Sequence, residues 1–184
     1  MRLDNPSQRP RINVPRTLLD YIGEILAFAG VVSGVLLLLF IWADLPGEVP
    51  RRFGLSGEPT AWSGRWSAVF PVVIAAGLYF GLTLLGRAPH VFNYPWPITE
   101  QNAAIQYRLA RSMVIWLKAL CIWMMVAIVW SQARVALGDA DQVSPIMVVG
   151  FLIGIHAVLI IFLYRSYRCK DGDESKDPFA IIDS

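Results

Sequence analysis

Residues 31–42 read VVSGVLLLLFIW and contain no charged side chain. The apolar segment around them runs from about residue 18 to about residue 43, which exceeds the roughly 20 helical residues needed to cross a hydrocarbon core. It is also longer than the core of a secretory signal peptide, and the sequence IWADLP at its end is a poor cleavage site. We therefore predict a retained membrane-spanning helix.

Three further segments have the same character, at about residues 66–85, 112–130 and 146–164. Of the 184 residues, 55% are hydrophobic and 16% are charged, whereas a soluble domain carries about 25% charged residues. The mean hydropathy is +0.50. Because so short a chain has too few polar residues to enclose four such segments in a soluble fold, we predict an all-α membrane protein, a four-transmembrane-helix bundle in the lipid bilayer.

The composition also argues against several kinds of function. The net charge of +2 is too small to indicate a nucleic-acid partner. Two cysteines cannot form a disulfide scaffold. The sequence contains no P-loop, GxSxG, HExxH or CxxC motif, so we predict no catalytic residue, no cofactor and no metal site.

The distribution of basic residues predicts the orientation of the helices. We divide the chain into an N-terminal arm (1–17), a four-helix membrane domain (18–164) and a C-terminal tail (165–184), with an outer loop at 44–65 and an inner loop at 86–111. Eleven Lys and Arg residues lie in the arm, the inner loop and the tail, whereas four lie in the two remaining loops. Since cytoplasmic loops are enriched in Lys and Arg, we predict that both termini are cytoplasmic.

Three ionisable residues lie within the predicted membrane helices: Glu24, Lys118 and His156. Such residues are costly in a bilayer and often functional. Glu24 and Lys118 lie in the same half of the membrane, so they either pair across two helices or extend separately towards the interface. His156 lies near the middle of the fourth helix, where it serves either as a hydrogen-bonded structural residue or as a proton or ligand site.

Pairs of glycines spaced by four residues predict close helix packing. They are Gly30 with Gly34, Gly77 with Gly81, and Gly150 with Gly154. In a compact bundle they serve contacts within the chain. A homodimer or hetero-complex interface is the alternative.

The two longer loops carry the most distinctive sequence. The outer loop contains three prolines and four glycines interspersed with apolar residues, which predicts an ordered, turn-rich cap. The inner loop begins with a proline-broken aromatic segment. Its second half begins at Thr99, a favourable N-cap residue, and is predicted to continue as a helix into the third membrane segment.

These loops resemble the small membrane domain of the SdpI-type immunity proteins over about residues 20–130. The outer part of the resemblance consists of Leu45-Pro46 through Pro50, Phe53-Gly54, Gly57-Glu58-Pro59 and Trp62, followed by an apolar helix containing Pro71. The inner part consists of Pro89-His90-x-Phe92-Asn93-Tyr94-Pro95, Ile98-Thr99-Glu100-x-Asn102 and Gln106-Tyr107. The fourth helix has no matching signature.

The resemblance implies a bacterial inner-membrane protein that acts as a receptor or immunity factor, binds a peptide or protein partner, and signals to the cytoplasm. Two positions depart from the family pattern. Arg52 stands where the family often has His, and Thr60 where it often has Asp. These departures weaken any assignment of metal or proton chemistry to the outer loop.

Two groups of candidate binding residues follow. In the outer loop they are Glu48, Arg51, Arg52, Phe53, Glu58 and Trp62; in the inner loop they are His90, Asn93, Tyr94, Glu100, Asn102, Gln106 and Tyr107. His90 with Glu100 is the best remaining pair for chemistry, but one histidine and one carboxylate are a poor metal site, and structural hydrogen bonding is the alternative role. We expect a non-enzymatic binding protein. The alternatives are an accessory subunit of a transporter or respiratory complex and, last, a membrane enzyme using His90 and Glu100.

Overall fold

The computed structural model describes residues 8–178. In that range four helices are long and apolar enough to cross a membrane. They are α1 (Leu18–Ile41), α2 (Val69–Leu85, preceded by a 3-10 turn over Arg65–Ala68), α3 (Ala103–Ala136) and α4 (Pro145–Arg168). The predicted all-α membrane architecture is therefore confirmed. Residues 1–7 of the predicted arm, including Arg2, and residues 179–184 of the tail lie outside the described residues.

The helix ends follow from local sequence. Thr17 caps α1: its side chain accepts a hydrogen bond from the Asp20 backbone, and the Asp20 side chain accepts one from Thr17 N–H, so the two satisfy amides that the helix leaves unpaired. Gly138, with a positive φ of 79°, follows the end of α3, where glycine is favoured. Pro145 is the first residue of α4, a position at which its missing N–H costs nothing.

Helix α3 is the centre of the fold. It packs against α1, α2 and α4, whereas α4 packs mainly on α3. The buried residues at the middle of the bundle are Ala27, Ala75, Ala119 and Ile122. The three alanines let the helix backbones approach closely, which is how membrane helices associate.

The third helix differs most from its predicted limits. It begins at Ala103, nine residues before the predicted segment at 112–130, and ends at Ala136. Hydropathy misses its first two turns because they carry buried polar residues, among them Gln106. Thr99 does not begin the helix: it exchanges two hydrogen bonds with Asn102 in the turn that precedes it.

The outer loop forms a β-hairpin, which the sequence did not predict in this form. Strand β1 (Glu48–Phe53) pairs antiparallel with β2 (Pro59–Gly64), with irregular register around Arg52. The base of the hairpin packs on the helices through an apolar cluster that includes Val49, Ile41 and Val129. We call this side of the molecule the hairpin end, and the opposite side, which carries residues 8–17 and 86–102, the arm end.

Candidate binding site

The hairpin is fixed against the connection between α3 and α4. The Val143 amide donates to the Gly57 carbonyl at 2.8 Å. Gly57 has a φ of +93°, and a Cβ at this position would lie 1.9 Å from the Val143 oxygen. Only glycine combines that backbone conformation with this close approach. The tip of the hairpin is therefore held by a contact that depends on the absence of a side chain.

A cavity of about 560 Å³ lies between the hairpin, the end of α3 and the start of α4. We call it the hairpin cavity. Its volume is in the range of small-ligand sites. Most of its wall is apolar, formed by side chains such as Phe53, Ile128 and Val148. The cavity is partly open to the surroundings, so an extended apolar group has access to it.

The polar groups of the hairpin cavity are few and distinct. Gln132 is buried and donates from its side-chain nitrogen to the Pro50 carbonyl at 3.1 Å, whereas its side-chain oxygen has no hydrogen-bond partner. The side chains of Arg51 and Arg52 are exposed and have no partner among the residues that the structure describes. The cavity thus combines apolar walls with one buried acceptor and two free cationic side chains, a combination that suits an amphipathic ligand bearing a carboxylate.

The predicted outer-loop residues divide into two groups. Arg51, Arg52 and Phe53 line the hairpin cavity. Glu48, Glu58 and Trp62 do not line it. Glu58 instead accepts a hydrogen bond from the Ser56 hydroxyl, and that bond lowers the pKa of the Glu58 carboxyl below its usual value. Sequence reasoning missed Gln132 and Val143, because they lie far along the chain and reach the cavity only through the helix packing.

The predicted inner-loop residues hold the arm end together. Gln106 donates to the Ser166 carbonyl at 3.0 Å and accepts from the Ser166 hydroxyl at 2.6 Å. Asn102 donates to the Lys170 carbonyl at 2.7 Å. Both side chains are buried. These contacts attach the end of α4 to the start of α3, so both amide side chains have a structural role.

The aromatic part of the inner loop packs onto the same region. The Tyr94 hydroxyl donates to the Pro89 carbonyl at 2.9 Å, and its ring lies 5.8 Å from that of Tyr107. Arg9 lies over the Tyr94 ring and donates to the carbonyls of His90 and Phe92. Burial raises the pKa of the Tyr94 hydroxyl. The arm and the inner loop are therefore one packed unit.

The remaining inner-loop candidates form no comparable site. Asn93 and Glu100 are exposed. His90 lies in a short 3-10 turn over Pro89–Val91, where its carbonyl is used by Arg9. Within residues 8–178, no cluster of three or more His, Cys, Asp or Glu side chains has a geometry suited to a metal ion.

Of the two alternatives for Glu24 and Lys118, the structure shows the ion pair. Lys118 Nζ lies 2.6 Å from Glu24 Oε2 and 2.9 Å from the Thr83 hydroxyl. It also lies 5.0 Å from the centre of the Tyr79 ring. Lys118 is 1% exposed, so its ammonium group does not extend to the interface. This cluster joins α1, α2 and α3.

His156 and the glycine pairs divide between packed and open surfaces. His156 is exposed on α4, and its Nδ1 lies 2.7 Å from the Leu152 carbonyl of its own helix. A Cβ at Gly30 would contact Ile122, at Gly34 it would contact Val126, and at Gly154 it would contact Leu120. These three glycines therefore serve packing on α3. The others lie on open surface: Gly77, Gly81 and Gly150, where a Cβ would meet no atom within 4 Å.

The comparisons with known proteins concern the hairpin end. No curated protein and no solved structure matches the chain. The family described as Domain of unknown function (DUF1648) matches residues 29–76. That segment comprises much of α1, the hairpin and the beginning of α2. The chain is thus a multi-pass membrane protein whose segment 29–76 is similar to a domain of unknown function.

Proposed function

We propose that the protein is a non-enzymatic receptor or immunity protein of the SdpI-like type, which binds a peptide or a protein segment in the hairpin cavity. The observation that carries this proposal is the combination of apolar walls with the free Arg51 and Arg52 side chains and the unpartnered oxygen of Gln132. An apolar peptide end fits these groups: its side chains fill the cavity, its carboxylate pairs with the arginines, and an N–H donates to Gln132.

The proposal places the protein in the bacterial inner membrane with the hairpin outside and both termini in the cytoplasm. Its support is the excess of Lys and Arg at the arm end. Single cysteines at Leu55, which is fully exposed on the hairpin, and at Ser175, which is exposed in the tail, test it in a chain with both native cysteines replaced. A membrane-impermeant maleimide applied to intact cells is expected to label the Leu55→Cys chain and not the Ser175→Cys chain. The reverse pattern overturns the orientation.

The binding role is tested by matched charge variants. A strain lacking the protein is expected to become sensitive to at least one secreted peptide. R51Q/R52Q is expected to fail to restore protection, whereas R65Q/R134Q is expected to restore it, because Arg65 and Arg134 lie at the same end without lining the cavity. Unchanged sensitivity to every peptide tested, together with unchanged transcription, overturns the proposal.

A photo-crosslinking amino acid locates the partner. With p-benzoylphenylalanine at Phe53, which lines the cavity, we expect a crosslink to the protective peptide. At Trp62, which is exposed on the hairpin but does not line the cavity, we expect none. Equal crosslinking at the two positions contradicts binding in the cavity.

A second candidate function is that of an accessory subunit in a larger membrane complex. The open glycine surfaces of α2 and α4, at Gly77, Gly81 and Gly150, favour it because small residues mark helix contacts in membranes. Purification in mild detergent tests it. A stoichiometric partner protein supports this candidate, and a lone monomer or homodimer excludes it.

A further inference from the structure

A second cavity, of about 460 Å³, lies at the arm end of the molecule. We call it the arm cavity. It lies between residues 12–16, the end of α2 and Arg111 of α3. Its wall includes Arg16, Arg87 and Arg111 but no Asp or Glu. Three arginines thus contribute to the wall of a cavity that is lined by no acidic residue.

Arg111 is the fixed member of the three. One terminal nitrogen donates to the Val14 carbonyl at 2.6 Å, and the other donates to the Pro15 carbonyl and lies 3.4 Å from Asp20. These contacts hold the arm against α3 and define the shape of the cavity. The third nitrogen, Nε, is buried and has no hydrogen-bond partner. Because Nε is not accessible, Arg111 contributes to the cavity through its fixed position in the wall and through its hold on the arm.

The other two arginines are free. Arg16 and Arg87 are exposed, and neither side chain forms a hydrogen bond or ion pair with any residue in 8–178. Asp20, the carboxylate beside Arg111, is already engaged by Arg111 and by the Ser112 hydroxyl. The cavity therefore carries two uncompensated positive charges.

The depth of the arm cavity indicates the kind of anion. Helix α1 begins at Leu18 and α2 ends at Leu85, so residues 12–16 and 86–89 lie immediately outside the membrane-spanning segments. Lipid phosphates lie at this level. Guanidinium groups bind phosphate oxygens through paired hydrogen bonds, and basic pockets at helix ends are typical sites for anionic headgroups.

We propose that the arm cavity binds one phosphate group, supplied by an anionic phospholipid or by a soluble phosphate. Arg16 and Arg87 bind its oxygens, and Arg111 holds in place the arm segment that carries Arg16. The site is independent of the hairpin cavity, which lies at the other end of α3.

Native mass spectrometry of the full chain in detergent tests the site with phosphatidylglycerol as the probe and phosphatidylcholine as the zwitterionic comparison. We expect one phosphatidylglycerol to be retained per chain. In R16Q/R87Q the affinity is expected to fall about thirtyfold, or about fivefold for each arginine. The matched control is R11Q: Arg11 lies in the same arm but outside the cavity wall, and its replacement is expected to leave affinity unchanged.

Three results overturn the proposal. The first is an equal loss of affinity in R11Q and R16Q, which indicates that diffuse surface charge binds the lipid. The second is retention of phosphatidylcholine equal to that of phosphatidylglycerol. The third is that the chain retains neither phosphatidylglycerol nor inorganic phosphate. Excess inorganic phosphate distinguishes the sources: displacement of the lipid assigns the site to soluble phosphate, and persistence assigns it to the headgroup. The single variants R16Q and R87Q, each compared with the parent chain by thermal unfolding without lipid, keep the test valid if the double variant does not fold.

Discussion

At the arm end, several buried side chains with charge or amide groups join the elements, whereas at the hairpin end backbone atoms and apolar side chains predominate and Gln132 is the buried amide beside them. Arg165 binds Asp177 through two hydrogen bonds of 3.0 and 2.7 Å, and Gln106 holds Ser166. The hairpin is held by Val49, which is fully buried, and by the contact between Gly57 and Val143. When one partner of a buried polar contact is removed, the other partner stays buried and unpaired, and the free energy of unfolding falls strongly. Apolar and backbone contacts are lost mainly when a substitution changes the shape of the packed surfaces. The two ends are therefore expected to respond differently to substitution.

The largest effect is expected at the arm end. The Asp177 side chain is fully buried against Arg165, so D177N removes the negative charge from a buried ion pair. Loss of one partner of such a pair costs about 3–5 kcal/mol. Denaturant unfolding in detergent is the measurement. The double variant R165M/D177L is expected to be less destabilised than D177N, and a greater loss in the double variant contradicts this explanation.

At the hairpin end the largest effect on local structure is expected from a steric clash at Gly57. G57A places a methyl group against the Val143 oxygen and forces alanine into a positive φ, a conformation that costs about 1–2 kcal/mol before the steric clash is counted. We expect the hairpin to detach and to become sensitive to limited proteolysis, with little change in the global unfolding midpoint. Gly47, which has open space around its Cβ position, provides the control G47A. Equal proteolysis of the two variants would refute the shape argument.

A pH titration distinguishes the two ends further. Because burial raises the Tyr94 pKa in the folded state, the folded chain holds this proton more tightly than the unfolded chain does. The contribution to stability is present below the usual tyrosine pKa of about 10 and is lost as the pH rises above it, by up to about 1.4 kcal/mol per pH unit. The difference in unfolding free energy between the parent chain and Y94F, measured from pH 9 to 11, should show this slope. A constant difference contradicts it.

The smallest effect on stability is expected for Q132L. It removes one hydrogen bond to Pro50 but also removes the buried oxygen that has no partner, so the net change is expected to be within about 1 kcal/mol. The free energy of ligand binding in the hairpin cavity is expected to fall by more than the free energy of unfolding does. A thermal unfolding curve and the peptide-protection assay measure the two quantities, and a large loss of stability would show that Gln132 is mainly structural.

The sequence predicted the parts of the fold that depend on composition and helical length. The four apolar segments were found from their length and hydropathy. The pairing of Glu24 with Lys118 was one of two alternatives, favoured by the cost of an unpaired charge in lipid. The β-hairpin was not, because its strands are short and each contains a proline, Pro50 and Pro59, which gives no alternating pattern.

The candidate sites were predicted less completely, for a physical reason. Arg51, Arg52 and Phe53 are visible in the sequence because they lie in one short loop. Gln132 and Arg111 belong to α3, where a polar residue near a helix end resembles an ordinary interfacial residue. Their roles depend on contacts with Pro50 and Val14, which lie more than 80 residues away along the chain.

Helix α3 also sets a length scale for the molecule. Arg111 and Gln132 bracket the predicted apolar segment 112–130, and 21 residues of helix separate them by about 31 Å. This distance is close to the hydrocarbon thickness of an average bilayer. Helix α3 therefore places one polar side chain at each surface of the bilayer. In a thinner or thicker bilayer the mismatch is relieved by tilt or by local bilayer deformation. Since the other three helices pack on α3, the exposure of both cavities depends on the thickness of the host membrane.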